Sequence, residues 1–408
     1  MYSLYFHIPF CRSRCGYCDF NTYAGLERLI PAYLHALEQE IGHAALQAAG
    51  RLKVHTLFFG GGTPSLLPLA GLERILSAVR AAYDLDPLAE VTLEANPGTL
   101  SFDYLQGLKA LGVNRLSLGM QSARPEELRL LERQHTYPEV IQAAAWARQA
   151  GLENFNLDLI FGLPHQDLES WAHSLEMALN LHPAHLSLYA LTVEHGTPLQ
   201  RWIDRGLLAD PDPDLAADMY EHAAGRLEQA GYLQYEISNW ARLEPARLSE
   251  LGSSFSSGCY AAAVCQHNLQ YWRGLPYLGF GAGAHGYAAG VRTENVLSPA
   301  AYIQRMQQPG PEAGAFPLTP AAAGSRVVGL DDEIAETMMM GLRLVEEGIS
   351  TAGFETRFGM TLEHRFSQEI EELTRLGLLE WRGSGVQRRL RLSPRGRLLG
   401  NQVFMRFV

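Results

Sequence analysis

What most constrains this chain is an alternation running through its first half. Short runs rich in Leu, Val, Ile and Phe occur at Leu4–Ile8, Val54–Phe59, Val91–Ala95, Arg115–Met120, Asn156–Phe161 and His185–Leu191. Such runs suit strands covered on both faces. Between them, Ala32–Gln47, Leu69–Ala82, Phe102–Leu111, Pro138–Ala150 and Asp167–Leu179 are amphipathic at helical spacing. Strand–helix alternation of this kind predicts a parallel sheet wound in one hand. Six units fall short of a closed eightfold barrel, so the expected fold is α/β: an incomplete, TIM-like (βα)6 barrel, open on one side.

A chain of 408 residues is longer than one core usually grows, so a smaller second domain is expected. From Val193 to Val296 the sequence is dense in Gly, Tyr and Trp, and within it Leu243–Ala263 reads as an exposed insertion rich in Ser and Ala. Past Pro299 the pattern turns helical and ends in a hairpin at Leu378–Trp381 and Leu390–Leu392; the tail Asp331–Val408 resembles a small winged-helix module. The expected division is 1–240 for the partial barrel, 241–298 for a connecting region and 299–408 for a helical, winged-helix-like domain. A net charge of −11 offers no basic footprint for nucleic acid. No apolar run reaches the roughly 18 residues of a membrane span. The start, Met-Tyr-Ser-Leu-Tyr-Phe-His, lacks the marks of a signal peptide. A cytoplasmic protein is expected, with peripheral membrane contact and a homodimer left open.

In a reducing compartment, crowded cysteines point to metal more than to disulfides. Three of the five cysteines, Cys11, Cys15 and Cys18, form a C-x3-C-x2-C pattern directly after the first strand. That position is the carboxyl end of the sheet, where α/β folds place their chemistry. Four thiolates complete the shell of a [4Fe-4S] cubane; three leave one iron open. S-adenosylmethionine (SAM) can chelate that iron through its amino and carboxylate groups, which positions the sulfonium for one-electron cleavage. A structural zinc site wants a fourth ligand, and none stands nearby. Cys259 and Cys265 read as small buried or loop residues.

Gly60-Gly61-Gly62-Thr63-Pro64-Ser65 follows the second strand. It is either a tight turn or a place where backbone approaches a ligand closely, and the neighbouring triad favours contact with the amino end of SAM. It is neither a dinucleotide fingerprint nor a P-loop. Polar residues recur at later strand ends: Glu94 with Asn96, Gln121, Asp158 and Tyr189. Singly, each reads as a satisfied structural group; together they converge on one rim. Arg133 is either a solvated helix charge or a bidentate partner for the SAM carboxylate.

The stretches YFHIPFCRSRCGYCDF, LFFGGGTPSLL, EANPGTL, RLSLGMQS, LDLIFGLPHQ and LSLYALTVEHGTPL resemble the radical SAM family of oxygen-independent coproporphyrinogen III oxidases and their relatives. With the carboxyl module, the resemblance covers nearly the whole chain. It implies that SAM is contacted by Tyr5, Gly61, Gly62, Thr63, Glu94, Gln121, Arg133, Asp158 and Ala190. Leu131-Glu-Arg-Gln-His135 resembles the family's LGRxH, with Glu132 in place of the glycine.

Within this family, the oxidase branch decarboxylates two propionates of coproporphyrinogen III. It carries a further cysteine two residues after the triad and a segment ahead of the first strand. Here Phe20 stands in that cysteine's place and the strand comes almost at once. Both features resemble the heme chaperone branch, HemW, which binds heme and passes it to recipient hemoproteins. His267-Asn-Leu-Gln-Tyr271-Trp272 resembles that branch's HNxxYW signature, which implies His267 as a heme ligand. A neutral imidazole suits heme iron and adjacent aromatics suit a porphyrin face. The plainer alternative is a loop hydrogen bond with Tyr271 and Trp272 as core. The insertion separates Tyr235-Glu-Ile-Ser-Asn-Trp-Ala241 from this signature, and either reshapes the heme entrance or is a passive loop. The expected function is a heme chaperone, with coproporphyrinogen oxidation as the alternative.

Overall fold

The computed structural model describes residues 1–243, 263–308 and 315–408. Apart from its two end residues, the insertion read at Leu243–Ala263 lies outside the described residues, as does Cys259. Packing divides the chain into two units, Met1–Ala223 with Pro276–Val327, and Ala224–Leu275 with Val328–Val408. The linear boundaries read at 240 and 298 divide the chain by motif, whereas these units divide it by packing and interleave.

The first unit is the partial barrel. Its parallel strands are β1 (Tyr2–Ile8), β2 (Lys53–Gly61), β3 (Asp84–Ala95), β4 (Arg115–Gln121), β5 (Phe155–Phe161) and β6 (His185–Ala190), hydrogen-bonded in sequence order. The helices between them are α1 (Ile30–Gln47), α2 (Leu69–Ala82), α3 (Phe102–Leu111), the short α4 (Pro125–Leu130), α5 (Tyr137–Gln149) and α6 (Leu168–Leu179). Leu4, Phe6 and Ile8 of β1 are fully buried, and so are Leu116, Leu118 and Met120 of β4. Burial on both faces is why these strands read as apolar runs. Local capping sets the helix starts: Ser101 accepts from Tyr104 N at 3.2 Å, Asp167 from Ser170 N at 2.8 Å, and Thr136 with Glu139 forms a capping box.

Two features exceed the sequence reading. Strand β3 begins at Asp84, on a polar stretch with Leu88 exposed, where no apolar run could reveal it. Beyond β1 the sheet continues through Tyr277–Phe280, parallel to it, and then antiparallel through His285–Ala288, Val291–Asn295 and Ala322–Val327. These strands are short and partly exposed, so periodicity is weak where the sequence showed only Gly and aromatic residues. The sheet is therefore mixed, with the six-unit parallel core at its centre.

In the second unit, Tyr232–Glu236 and Asn239–Arg242 form an antiparallel hairpin. Helices Leu330–Gly341, Thr351–Phe358 and Leu362–Arg375 pack against a three-stranded antiparallel sheet of Ile349–Ser350, Leu379–Arg382 and Arg389–Leu392. This is the winged-helix-like module. No helix among the described residues is long and apolar enough to cross a membrane.

Candidate functional site

The cysteine loop leaves the end of β1 and returns alongside itself. Phe10–Cys11 pairs in parallel with Tyr23–Ala24, and Tyr23 N donates to Pro9 O at 2.7 Å, so the loop is closed at its base. Asn21 fixes that base by donating to Ala282 O at 3.0 Å and Leu297 O at 2.9 Å. His7 Nε2 lies 2.9 Å from Asn21 O, and Leu199 N donates to Gly16 O at 2.9 Å near the loop's tip.

The glycine run lies against this loop. Gly62 N donates to Ile8 O and Thr63 N to Phe10 O, both at 2.8 Å. Gly61 adopts a positive φ of 111°, which only glycine accepts readily, and its N–H donates to Glu94 Oε2 at 3.1 Å. A Cβ on Gly62 would lie 2.7 Å from Phe10 O, 2.8 Å from Ile8 O and 3.1 Å from Cys11 Sγ. The close approach at Gly62 is thus to the backbone that carries the triad. Gly62→Val is expected to displace Cys11 and sharply lower cluster loading while overall helicity is kept. Iron and sulfide content after anaerobic reconstitution checks this, and wild-type loading would count against it.

A cavity of about 860 Å³ opens over the carboxyl ends of the parallel strands. Cys11, Cys15, Cys18, Gly61, Gly62, Thr63, Glu94, Gln121, Arg133, Asp158 and Ala190 all line it. Its size suits a nucleoside-sized ligand. The three thiols all line it, and among the described residues no three His, Cys, Asp or Glu donors converge on a single-ion position. Tyr5 is not among the lining residues. Its hydroxyl is 3.0 Å from His7 Nδ1, and its ring stacks on Phe58.

Strand register brings the carboxylates together. Glu94 pairs with Ser117, and Asp158 stands opposite Gly119 on one side and Ser187 on the other. Asp158 accepts from Ser117 Oγ at 3.1 Å and Asn156 Nδ2 at 2.8 Å. Burial, reinforced by the Asp158 charge, pushes the Glu94 carboxyl up to about 7. Ser117 and Asn156 escaped the sequence reading. Asn156 sits two residues before Asp158, and that strand period was the available signal.

At the end of β4 a register shift and a positive φ of 64° at Gln121 bend the strand's last residue. A second left-handed residue, Glu132 with φ of 55°, sits where the resembling motif has glycine, which explains the family's choice there. The turn presents Arg133, whose Nη2 donates to Gly119 O at 2.9 Å and whose Nη1 reaches Cys15 Sγ at 3.7 Å. His135 Nε2 lies 3.0 Å from Met120 O; burial and the Arg133 charge lower its pKa to about 4, so the ring is neutral.

Residues 5–178 match the Radical SAM superfamily model, and residues 328–399 the HemN C-terminal domain. The heme chaperone HemW of Bacillus subtilis is 37% identical, covering all of this chain and 99% of its own length. The chain belongs to the HemW family. HemW of Escherichia coli is 40% identical over 74% of the chain and 75% of that protein. A mouse relative, radical S-adenosyl methionine domain-containing protein 1, mitochondrial, is 36% identical over 93% of the chain and 83% of its own length. Among solved structures, the E. coli coproporphyrinogen III oxidase HemN superposes with a TM-score of 0.80 at 27% identity, covering 99% of this chain and 89% of that one. Radical SAM membership implies a [4Fe-4S] cluster and SAM.

Two positions matter for a HemW chain. Phe20, in the oxidase cysteine's place, lines the cavity and is 62% exposed. His267 lies in the second unit on the helix Gln266–Trp272, fully within the fold, with Nε2 2.9 Å from the Tyr271 hydroxyl and the two rings perpendicular. Trp272 packs under the Arg343 guanidinium, 4.4 Å from its ring centroid. Cys265, just before this helix, is buried.

Proposed function

We propose that this chain is a heme chaperone that binds heme and passes it to recipient hemoproteins. In this reading Cys11, Cys15 and Cys18 hold a [4Fe-4S] cluster, with SAM in the adjoining cavity. The observation that carries it is likeness over the full length to proteins named as heme chaperones, at 37% identity, against 27% to the oxidase structure. The donor set fits: three thiols, the backbone of Gly61 and Gly62, and the carboxylates of Glu94 and Asp158 line the same cavity. The cluster, when bound, supplies an electron for sulfonium cleavage. The chain's own residues orient and enclose: Gln121, Arg133 and Ala190 line the same cavity. Tyr5 supports this site through His7, one layer behind the glycine run. A cytoplasmic location accompanies this reading.

His267 is the proposed heme ligand. In ligation through Nε2, the imidazole would exchange its Tyr271 contact for iron. Wild-type protein reconstituted anaerobically is expected to bind heme and to show no coproporphyrinogen III decarboxylation above background. His267→Ala should alter the heme absorption spectrum and weaken binding while cluster content is retained. An unchanged spectrum and affinity would remove His267 as ligand. Sustained formation of protoporphyrinogen IX by the wild type would replace the chaperone reading with the oxidase one.

A further inference from the structure

Each cysteine of the triad has a side-chain hydrogen-bond partner, and Thr22 reaches both Cys18 and Cys11. Thr63 Oγ1 is 3.6 Å from Cys11 Sγ, Arg133 Nη1 is 3.7 Å from Cys15 Sγ, and Thr22 Oγ1 is 3.9 Å from Cys18 Sγ. The three partners come from three separate places in the chain: the glycine loop after β2, the left-handed turn after α4, and the base of the cysteine loop. We propose that Thr63, Arg133 and Thr22 act as a set of hydrogen-bond donors to the cluster thiolates, and that they raise and set the cluster's reduction potential. The inference rests on the triad being the cluster ligands.

The chemistry follows from the charge. A ligating cysteine has lost its proton and can only accept: Thr63 already donates to Cys11, and Thr22, whose bond to the Cys18 thiol could run in either sense, must donate to a thiolate. Reduction adds negative charge to the cluster and its sulfurs. A donor aimed at sulfur stabilises the reduced form more than the oxidised one, and the potential rises. The effect is larger where water is kept away, and Thr22 is only 4% exposed. Arg133 is the strongest of the set because its donor carries a full charge. It is held at its post by the Gly119 carbonyl and by the positive φ of Glu132. These tuning roles act on the thiolates and come in addition to the SAM contacts that the resemblance implies for Thr63 and Arg133.

The test uses the full chain, reconstituted anaerobically with iron and sulfide and with SAM left out. The fraction of reduced cluster is followed by paramagnetic resonance during a potentiometric titration. Thr63→Val and Thr22→Val remove one hydroxyl at nearly constant shape. Each is expected to lower the reduced-to-oxidised ratio at fixed potential by roughly tenfold, which is about 59 mV for a one-electron couple. Thr63→Ser and Thr22→Ser should return the midpoint toward the wild-type value, and Arg133→Met should lower it further than either valine variant. Should Thr63→Val load no cluster, the Thr22 pair of variants decides the matter. Equal midpoints in cluster-loaded wild type and valine variants would overturn the donor set while leaving the ligands in place. Failure of the wild type to assemble any cluster would instead overturn the ligand reading on which it stands.

Discussion

Cys15→Ala is expected to abolish stable assembly of the four-iron cluster. Three thiolates are the least that can anchor three irons, and the closed loop holds no spare donor at this position. Cys265 is buried in the second unit and offers no replacement within the loop. The loop itself should persist, because its base is held by Asn21, the paired segments Phe10–Cys11 and Tyr23–Ala24, and the Gly62 and Thr63 amides. Arg133 keeps its bond to Gly119 O when the sulfur is removed. The variant should therefore fold with near wild-type helicity and carry background iron after reconstitution. A full complement of iron, with the paramagnetic signal of a reduced cluster, would defeat the ligand assignment. Cys11→Ala and Cys18→Ala should behave alike.

The second large effect is on stability. Glu40 of α1 is wholly buried, and four donors converge on its carboxylate. Oε2 accepts from Gly281 N at 2.8 Å and Tyr302 Oη at 2.6 Å; Oε1 accepts from Asn295 Nδ2 and Thr319 Oγ1, both at 2.8 Å. Burial pushes this carboxyl above the usual range, and the donors work against that shift. Glu40→Ala strands those donors away from water and should cost about 3–5 kcal/mol, the range for leaving buried polar or charged groups uncompensated. Glu40→Gln keeps one acceptor and should fall between alanine and wild type. Urea unfolding midpoints at unchanged slope measure both. Nearly equal midpoints for wild type and alanine variant would show that the hub is dispensable. The damage should also reach the cysteine loop. Tyr33 of the same helix donates to His7 O and accepts from Ala282 N, and Ala282 O in turn holds Asn21.

How far the sequence could be read depends on how local each signal is. The six parallel strands and the longer helices between them lay open because both patterns are written in neighbouring residues, whereas the six-residue helix Pro125–Leu130 is too short to show one. Strand β3 was legible only in its apolar half, since its first residues are exposed and polar. The strands between Tyr277 and Val327 were missed because a short, partly covered strand bears little hydrophobic signature. The triad was legible from spacing, and the strand-end polar residues from their place after apolar runs. Ser117, Asn156, Thr22 and Glu40 were not, because a buried polar residue in sequence looks like any other polar residue until its partner is known.

By itself, then, the sequence determined the α/β class, the parallel core, the place of the cysteines after β1 and the family to which they point. All of these are properties of short windows or of motif matching. Only the tertiary structure decided which side chains share the cavity. It set Tyr5 against His7, placed Arg133 against Cys15, and set His267 against Tyr271. It also revealed why the glycine of the LGRxH motif matters, through the left-handed φ that Glu132 must adopt. The physical reason is distance along the chain. Glu40 and Thr319 are 279 residues apart, and Arg133 and Cys15 are 118 apart. Their hydrogen bonds exist only after strands have paired and helices have packed, so no window of sequence contains them.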